Sequence, residues 1–278
     1  MEKVEVQEQW EAAAPGWAKW EAIIATWAAP ATEAMLDMAG VTSGSKVLDL
    51  ACGAGSQTLS AARRAGRQGH VVASDISKTM LAHTRENARA AGLANISTLR
   101  GAAEELEVAP GSFDAVICRL GLMLFAEPAK ALVAVRQALK PGGKVAVIVF
   151  TTPAANPARA KAMQILLCHA GKAPPPPGRP GLFSLGAPGT IERLLTESGF
   201  IGVERREMNL PMRTRSAADA LQMIQEAFAA SRAILSDCSE AVRAAAWAEV
   251  AEMLKTFESD KGFVTPGELL VAAGTRPA

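Results

Sequence analysis

The first chemical signal lies in Val47-Leu-Asp-Leu-Ala-Cys-Gly-Ala-Gly-Ser-Gln-Thr58, where an apolar run carries Asp49 and opens into Gly53 and Gly55 before helix-forming residues. Glycines at such a strand-to-helix turn let a ligand approach the backbone closely. Asp49 sits inside the strand, where a dinucleotide fold keeps an apolar residue, so its carboxylate suits a ligand with a positive amino group. Ser56-Gln-Thr58 replaces the third glycine of G-x-G-x-x-G, which disfavours a pyrophosphate. Asp75 comes twenty positions after Gly55, at the end of a second apolar run. A carboxylate there accepts both hydroxyls of a ribose.

Other candidates are fewer. Arg119 follows directly on another apolar run and is expected to point toward the site. It either orients a carboxylate or phenolate of a ligand or forms a salt bridge to a helix. His169 is a candidate general base, with capping of a helix end as the alternative. His70 and His83 read as structural. The chain has no tyrosine, so no phenol serves as base or oxyanion donor. Cys52, Cys118, Cys168 and Cys238 lack paired spacing, so neither a disulfide framework nor a metal site is expected. Cys52 belongs to the glycine-bearing loop, and for Cys118, Cys168 and Cys238 buried thiols fit better than ligands for a soft species such as arsenite.

The elements that must position these residues alternate. Strands are expected at Val47–Leu50, His70–Ser74, Ile96–Arg100, Phe113–Cys118 and Lys144–Phe150, with helices at 57–65, 79–91 and 130–139 between them. The turn Pro141-Gly-Gly143 precedes the fifth strand. Such alternation implies a parallel sheet covered on both faces. Outside it, residues 1–46 are helical and carry Trp10, Trp17, Trp20 and Trp27, and residues 151–188 are proline-rich, with Pro174–Pro177 as a stiff connecting loop. Residues 213–260 read as two helices, Ala217–Leu235 and Ser239–Phe257, between strands Gly202–Leu210 and Glu268–Gly274.

Four segments in order resemble the class I S-adenosylmethionine-dependent methyltransferases, of the ubiquinone/menaquinone-biosynthesis type. They are Val47–Gly55, Val71-Val-Ala-Ser-Asp-Ile-Ser77 with Met80, Gly111-Ser-Phe-Asp-Ala-Val-Ile-Cys118, and Leu139-Lys-Pro-Gly-Gly-Lys144. The resemblance implies an α/β fold: a Rossmann-like, doubly wound, seven-stranded sheet with an antiparallel last strand, N-terminal helices, and a helical insertion between strands six and seven. It divides the chain into a lid over 1–46 and a methyltransferase domain over 47–278, with 151–188 and 213–260 as insertions on the substrate side. It implies S-adenosyl-L-methionine as cofactor and S-adenosyl-L-homocysteine as product. The cofactor set carried over is Asp49, Ala51, Gly53, Gly55, Asp75, Ile76, Met80, Ala102, Ala103 and Arg119. Where relatives read Gly-Asp-Ala-Glu, this chain reads Gly101-Ala102-Ala103-Glu104, so the usual acceptor for the adenine amino group is absent. The Ala103 amide is left to donate to the ring, and Glu104 either reaches inward or is solvated. An acceptor site is expected beyond the carboxyl ends of the strands, with Trp17, Trp20, Met123 and Phe125 around it. For each of these four, core packing is the alternative.

The reaction so implied is in-line methyl transfer to an O, N or C nucleophile of a small, aromatic or apolar metabolite. A nicotinamide-dependent oxidoreductase and a non-catalytic S-adenosylmethionine-binding module are the rivals. With 29 Lys plus Arg against 28 Asp plus Glu, no basic footprint for nucleic acid is expected. No apolar run reaches membrane-spanning length, and the acidic start Met1-Glu-Lys-Val-Glu5 is unlike a signal peptide. The expectation is therefore a cytoplasmic monomer or homodimer acting on a small-molecule acceptor.

Overall fold

A computed structural model describes residues 3–105, 107–176 and 178–278; Pro177, the last of the proline run, lies outside them. The chain opens with α1 (Lys3–Met38), then runs β1 (Lys46–Leu50), α2 (Ser56–Ala65), β2 (His70–Asp75), α3 (Lys78–Ala90), β3 (Ile96–Arg100), β4 (Phe113–Arg119), α4 (Pro128–Ala138) and β5 (Leu139–Phe150). It continues with α5 (Pro157–His169), α6 (Thr190–Glu197), β6 (Ile201–Asn209), β7 (Met212–Thr214), α7 (Ala217–Ala227), α8 (Ala229–Ile234), α9 (Glu240–Lys255), β8 (Glu258–Ser259), β9 (Gly262–Thr265) and β10 (Glu268–Thr275).

The main sheet has seven strands in the order β3-β2-β1-β4-β5-β10-β6, and β10 runs antiparallel to both neighbours. Its central strands are near-continuous apolar runs because helices cover both faces; Val47, Leu48, Val116, Ile117 and Ile148 are fully buried. In register, Leu50 pairs with Ser74 on β2 and with Cys118 on β4. The residues that follow, Ala51, Asp75 and Arg119, are thereby gathered at one edge of the sheet.

Three features differ from the sequence reading. Residues 3–38 form one continuous helix rather than several, although Pro15 and Pro30 lie inside it. An interior proline costs about 3 kcal/mol, but the apolar stripe Trp20, Ile24, Trp27, Ala31, Met35 passes Pro30 without a break in phase and is buried throughout, and Ala13 and Ala14 are fully buried just before Pro15. β5 begins at Leu139: the pairing with β4 jumps from Phe113↔Leu139 to Ala115↔Lys144, and the expected Pro-Gly-Gly turn is absorbed as an irregularity with Gly142 at φ 77°. The expected helix 217–235 breaks at Phe228, whose extended backbone (φ −93°, ψ 97°) turns its ring inward against Trp17.

The proline-rich segment contains α5, and α5 does not stand alone. Ala158, Ala162 and Leu166 share a second core with Ala220 and Ile224 of α7, Val250 and Leu254 of α9, and Phe263 of β9. The two insertions thus pack as one body, braced by the small sheet β7-β9-β8. α1 crosses from the main sheet to this body, and it does so closely: a Cβ on Gly16 would fall 2.1 Å from the carbonyl oxygen of Glu226 on α7.

Candidate functional site

The loop after β1 and the loop after β4 both leave their strands through a left-handed residue other than glycine. Ala51 has φ 52° and Leu120 φ 61°, a conformation that costs roughly 1–2 kcal/mol per residue. Such strain collects where a site over-determines the backbone, and both residues line a cavity of about 330 Å³ at the carboxyl edge of the sheet. Gly53 (φ 58°) borders it as well, and a Cβ there would come 3.1 Å from Nε1 of Trp17. Gly55 (φ 94°) packs behind, where a Cβ would meet Thr84 Oγ1 at 2.8 Å.

Asp75 ends β2 and faces the cavity. Its carboxylate accepts from the Gly53 N–H (3.0 Å) and the Ser77 N–H (2.8 Å). Burial pushes the carboxyl up to about 6, against the lowering by those backbone donors. Ile76, Met80, Ala102 and Ala103 line the same cavity, with Glu104 beside them. Glu104 accepts the Glu127 N–H at 3.3 Å, so it reaches toward the start of α4.

Asp49 departs from expectation. It is fully buried and does not line the cavity. Thr58 donates to it at 2.5 Å and Gln57 at 3.4 Å, both from the first turns of α2. Strand alternation accounts for this: Asp49 points beneath the loop toward α2, and its neighbour Leu50 reaches the cavity. Burial pushes its carboxyl up to about 7, with Thr58 and the Arg119 charge opposing. Asp49 therefore braces the loop instead of meeting a ligand's amino group.

Arg119 borders the cavity yet is only 6% exposed. It donates to Ser56 Oγ (2.6 Å) and Thr32 Oγ1 (3.4 Å) and lies 3.5 Å from Glu21 Oε1. The salt bridge to a helix is the reading the structure shows, since the guanidinium bridges to Glu21 and Thr32 of α1 while the residue borders the cavity. Burial lowers its pKa, with Glu21 the largest opposing influence.

Sequence reasoning missed two glutamates on α1. Glu21 accepts the Ser56 N–H at 3.1 Å, at the start of α2, where Gly55 offers no side-chain cap. Its other carboxylate oxygen is buried without a partner. Glu11 accepts from the Lys78 N–H (2.6 Å), the Thr79 N–H (3.2 Å) and the Ser77 hydroxyl (3.1 Å), at the start of α3. Burial raises its pKa, but these donors together hold it below the ordinary value. One helix thus places a carboxylate on the amino ends of both helices beside the cavity, where the helix dipole favours negative charge. Their ten-residue spacing on a helix offered a signal only once their targets were known.

The tryptophans divide. Trp17 lies over Gly53, edge-on to Trp10 at 6.1 Å, and both line the cavity. Trp20 does not: it is buried in the core and donates to Glu226 Oε2 of α7 at 2.7 Å. Met123 also lies outside this cavity. It lines a second one of about 1110 Å³ between α5, the proline-rich loop and α6, which meets the first at Phe125. His169 lines neither cavity. It ends α5 and pairs with Glu249 of α9 at 2.7 Å, which places it at a helix end and removes it from any base role in these cavities. His70 meets Ser97 at 2.8 Å and His83 faces Glu86 at 3.7 Å, both away from the site.

Burial pushes the Cys52 thiol well above its ordinary value and Cys118 up to about 12, so both stay protonated and unreactive. Among the described residues, no cluster of three or more His, Cys, Asp and Glu is arranged to hold a metal. No helix among them is long and apolar enough to cross a membrane.

A family model described as a methyltransferase domain matches residues 41–257. The ubiquinone/menaquinone biosynthesis C-methyltransferase UbiE of Yersinia enterocolitica is 39% identical over 123 residues, 44% of this chain and 49% of the relative. The chain spans about half the length of the curated relatives it matches. Among solved structures, the YcgJ protein from Bacillus subtilis is similar with a TM-score of 0.60 and 17% identity, over 89% of this chain and 98% of that one. Haemonchus contortus phosphoethanolamine N-methyltransferase 2, in complex with phosphomonomethylethanolamine and S-adenosylhomocysteine, gives a TM-score of 0.57 at 20% identity, over 90% of this chain and 53% of that one. At these identities the likeness is one of fold.

Proposed function

Because this chain belongs to the methyltransferase-domain family, we infer that it transfers the methyl group of S-adenosyl-L-methionine to a small-molecule acceptor. The single observation that supports this most is the pairing of Asp75 with the Gly53 loop: a carboxylate faces the cavity while a strained, glycine-bearing turn presents backbone to it. That cradle suits a nucleoside bearing an amino acid, with the ribose hydroxyls on Asp75 and the amino-acid portion along Ala51, Gly53 and Arg119. Ile76, Met80, Ala102 and Ala103 form the apolar slot for the adenine. In place of the usual aspartate, the small side chain of Ala102 leaves the ring to packing and to the Ala103 amide. Asp49 and Gly55 belong to this set as supports of the loop.

When bound, the cofactor supplies an electrophilic methyl group on a cationic sulfur. The protein has little covalent work to do; its task is alignment and exclusion of water. Trp10 and Trp17 on α1 close the cavity, so residues 1–46 act as its lid, held down by Glu11 and Glu21. Phe125 stands between the two cavities, and the acceptor enters from the second, whose wall is Met123, Phe183 and the proline-rich loop. This apolar surface favours an aromatic or apolar acceptor that reacts through O, N or C. No histidine or tyrosine lines either cavity, so an acceptor that is already nucleophilic at neutral pH fits best.

Calorimetric titration with S-adenosylhomocysteine and with NADH tests the reading. Binding of the former alone is expected. Binding of NADH alone would make the chain an oxidoreductase on a similar fold, and tight S-adenosylhomocysteine binding with no methyl transfer across a broad acceptor panel would make it a non-catalytic module.

A further inference from the structure

The turn after β3 lies beside Asp75, on the side away from the Gly53 loop. Asp75 pairs with Arg100 in the sheet register, and the Gly101 N–H donates to the Asp75 carbonyl at 3.1 Å. A single helical turn, Ala103–Glu105, follows and packs against α4. Gly101, Ala102, Ala103 and Glu104 all line the smaller cavity. A nucleoside whose ribose hydroxyls meet Asp75 directs its base to this turn, since the Gly53 loop takes the opposite side.

Two polar groups of the turn lack a partner among the described residues. Ala103 is 8% exposed, and nothing among those residues accepts from its N–H, because it opens the helical turn. A buried N–H in that condition is rare and leaves a donor for a ligand. Glu104 is half-buried. Its Oε1 accepts the Glu127 N–H at the amino end of α4, where the helix dipole favours negative charge. No donor among the described residues reaches its Oε2. The other carboxylates at this end of the cavity are placed differently: Glu127 is exposed and takes Lys130 at 3.3 Å, and Glu105 is exposed.

A donor and an anionic acceptor on adjacent residues complement the edge of adenine, where an accepting ring nitrogen stands next to a donating amino group. Hypoxanthine presents the reverse, a donating ring N–H next to an accepting oxygen. A site built to hydrogen-bond a ligand's N–H rejects the analogue lacking it, because its own polar groups are then left unpaired. Ile76, Met80 and Ala102 offer the ring apolar surface but no side-chain group that reads its edge.

We propose that Glu104 is the residue that selects adenine: its Oε2 accepts from the amino group while the Ala103 N–H donates to the neighbouring ring nitrogen. The tether to α4 holds the carboxylate at the cavity, so recognition of the base depends on α4 as well as on the sheet. This rests on the methyl-transfer reading for the identity of the ligand, but selection of the base is measurable without turnover.

The test titrates the full chain calorimetrically with S-adenosylhomocysteine, with its analogue carrying hydrogen in place of the amino group, and with its hypoxanthine analogue. Wild type is expected to bind S-adenosylhomocysteine about tenfold tighter than the hydrogen analogue, a difference of about 1.4 kcal/mol, and the hypoxanthine analogue more weakly still. Glu104→Leu is expected to lose that preference while its affinity for the hydrogen analogue stays within about twofold of wild type. Glu104→Gln, whose carbonyl still accepts, is expected to keep part of it. Glu104→Ala is the substitute if the leucine variant does not fold. Absence of the preference in wild type, or its full retention in Glu104→Leu or Glu104→Ala, overturns the proposal. So does equal weakening of both ligands, which would make Glu104 a structural residue, and so does loss of the preference in Glu127→Gln alone. A hypoxanthine analogue that binds wild type as tightly as S-adenosylhomocysteine overturns the pairing with Ala103. Failure of wild type to bind any of the three ligands would instead overturn the methyltransferase reading, so the two failures are distinct.

Discussion

Replacing Asp75 by Asn removes a charge and changes little else in shape. In the free protein the buried carboxylate titrates at about 6 instead of 3.8. A gap of roughly two pKa units means that holding it ionised at neutral pH costs on the order of 3 kcal/mol. An acid whose folded pKa is raised contributes most to stability below its unfolded value, and that contribution is lost as pH rises through about 6. The asparagine escapes this cost but offers one acceptor where the carboxylate serves both Gly53 and Ser77. One N–H is then orphaned, at about 1–3 kcal/mol. The free Asp75→Asn protein should therefore unfold within about 2 kcal/mol of wild type at neutral pH. Cofactor binding should suffer far more, since each hydroxyl bond to a charged acceptor is worth about 1.5–3 kcal/mol. The dissociation constant for S-adenosylhomocysteine should rise at least about tenfold. Hydroxyl donors favour the ionised form, so wild-type affinity should also fall by up to about tenfold per pH unit below about pH 6, while the variant stays flat. Calorimetry between about pH 5 and about pH 8, alongside urea unfolding, reads all three quantities. An Asp75→Asn affinity within about threefold of wild type, or a flat wild-type profile below about pH 6, would remove Asp75 from the site.

Four further outcomes follow from the same contacts. Arg119→Met leaves the Glu21 carboxylate buried beside Ser56 without its cation, so unfolding free energy should fall by about 3–5 kcal/mol and recover in part with Glu21→Gln; additive losses in denaturant titrations would show that the pair does not interact. Glu11→Gln should weaken the hold of α1 on the start of α3 by about 0.5–2 kcal/mol and speed S-adenosylhomocysteine dissociation severalfold, read by stopped-flow fluorescence of Trp10 and Trp17; an unchanged rate would mean that this end of α1 does not gate the cavity. Gly16→Ala drives a methyl group into the Glu226 carbonyl, which should cost about 1–3 kcal/mol or more and lower the melting temperature by several degrees, whereas an unchanged melting temperature would show that the α1–α7 contact is loose. His169→Ala breaks only its pair with Glu249 and should leave turnover unchanged; a large loss of turnover with intact folding would return His169 to the chemistry.

The sequence by itself determined the cofactor half of the protein, because local chemistry suffices there. A left-handed turn after a buried strand needs Gly53 and Gly55, and the ribose site proposed at the end of β2 rests on the carboxylate of Asp75; both leave a mark in a few adjacent residues. Asp49 was legible as unusual, but its partner was not, since strand alternation and the packing of α2 turned it toward Thr58. The tertiary structure decided the rest. It sorted Trp17 to the cavity and Trp20 to the core, although the two lie three residues apart on one helix, because α7 takes up the Trp20 N–H. It joined residues 151–188 and 213–260 into one body through a core that neither segment can form alone. It also brought Glu11 and Glu21 to the amino ends of α3 and α2. Their partners are distant in sequence, and a charge acquires a function only from what is placed against it.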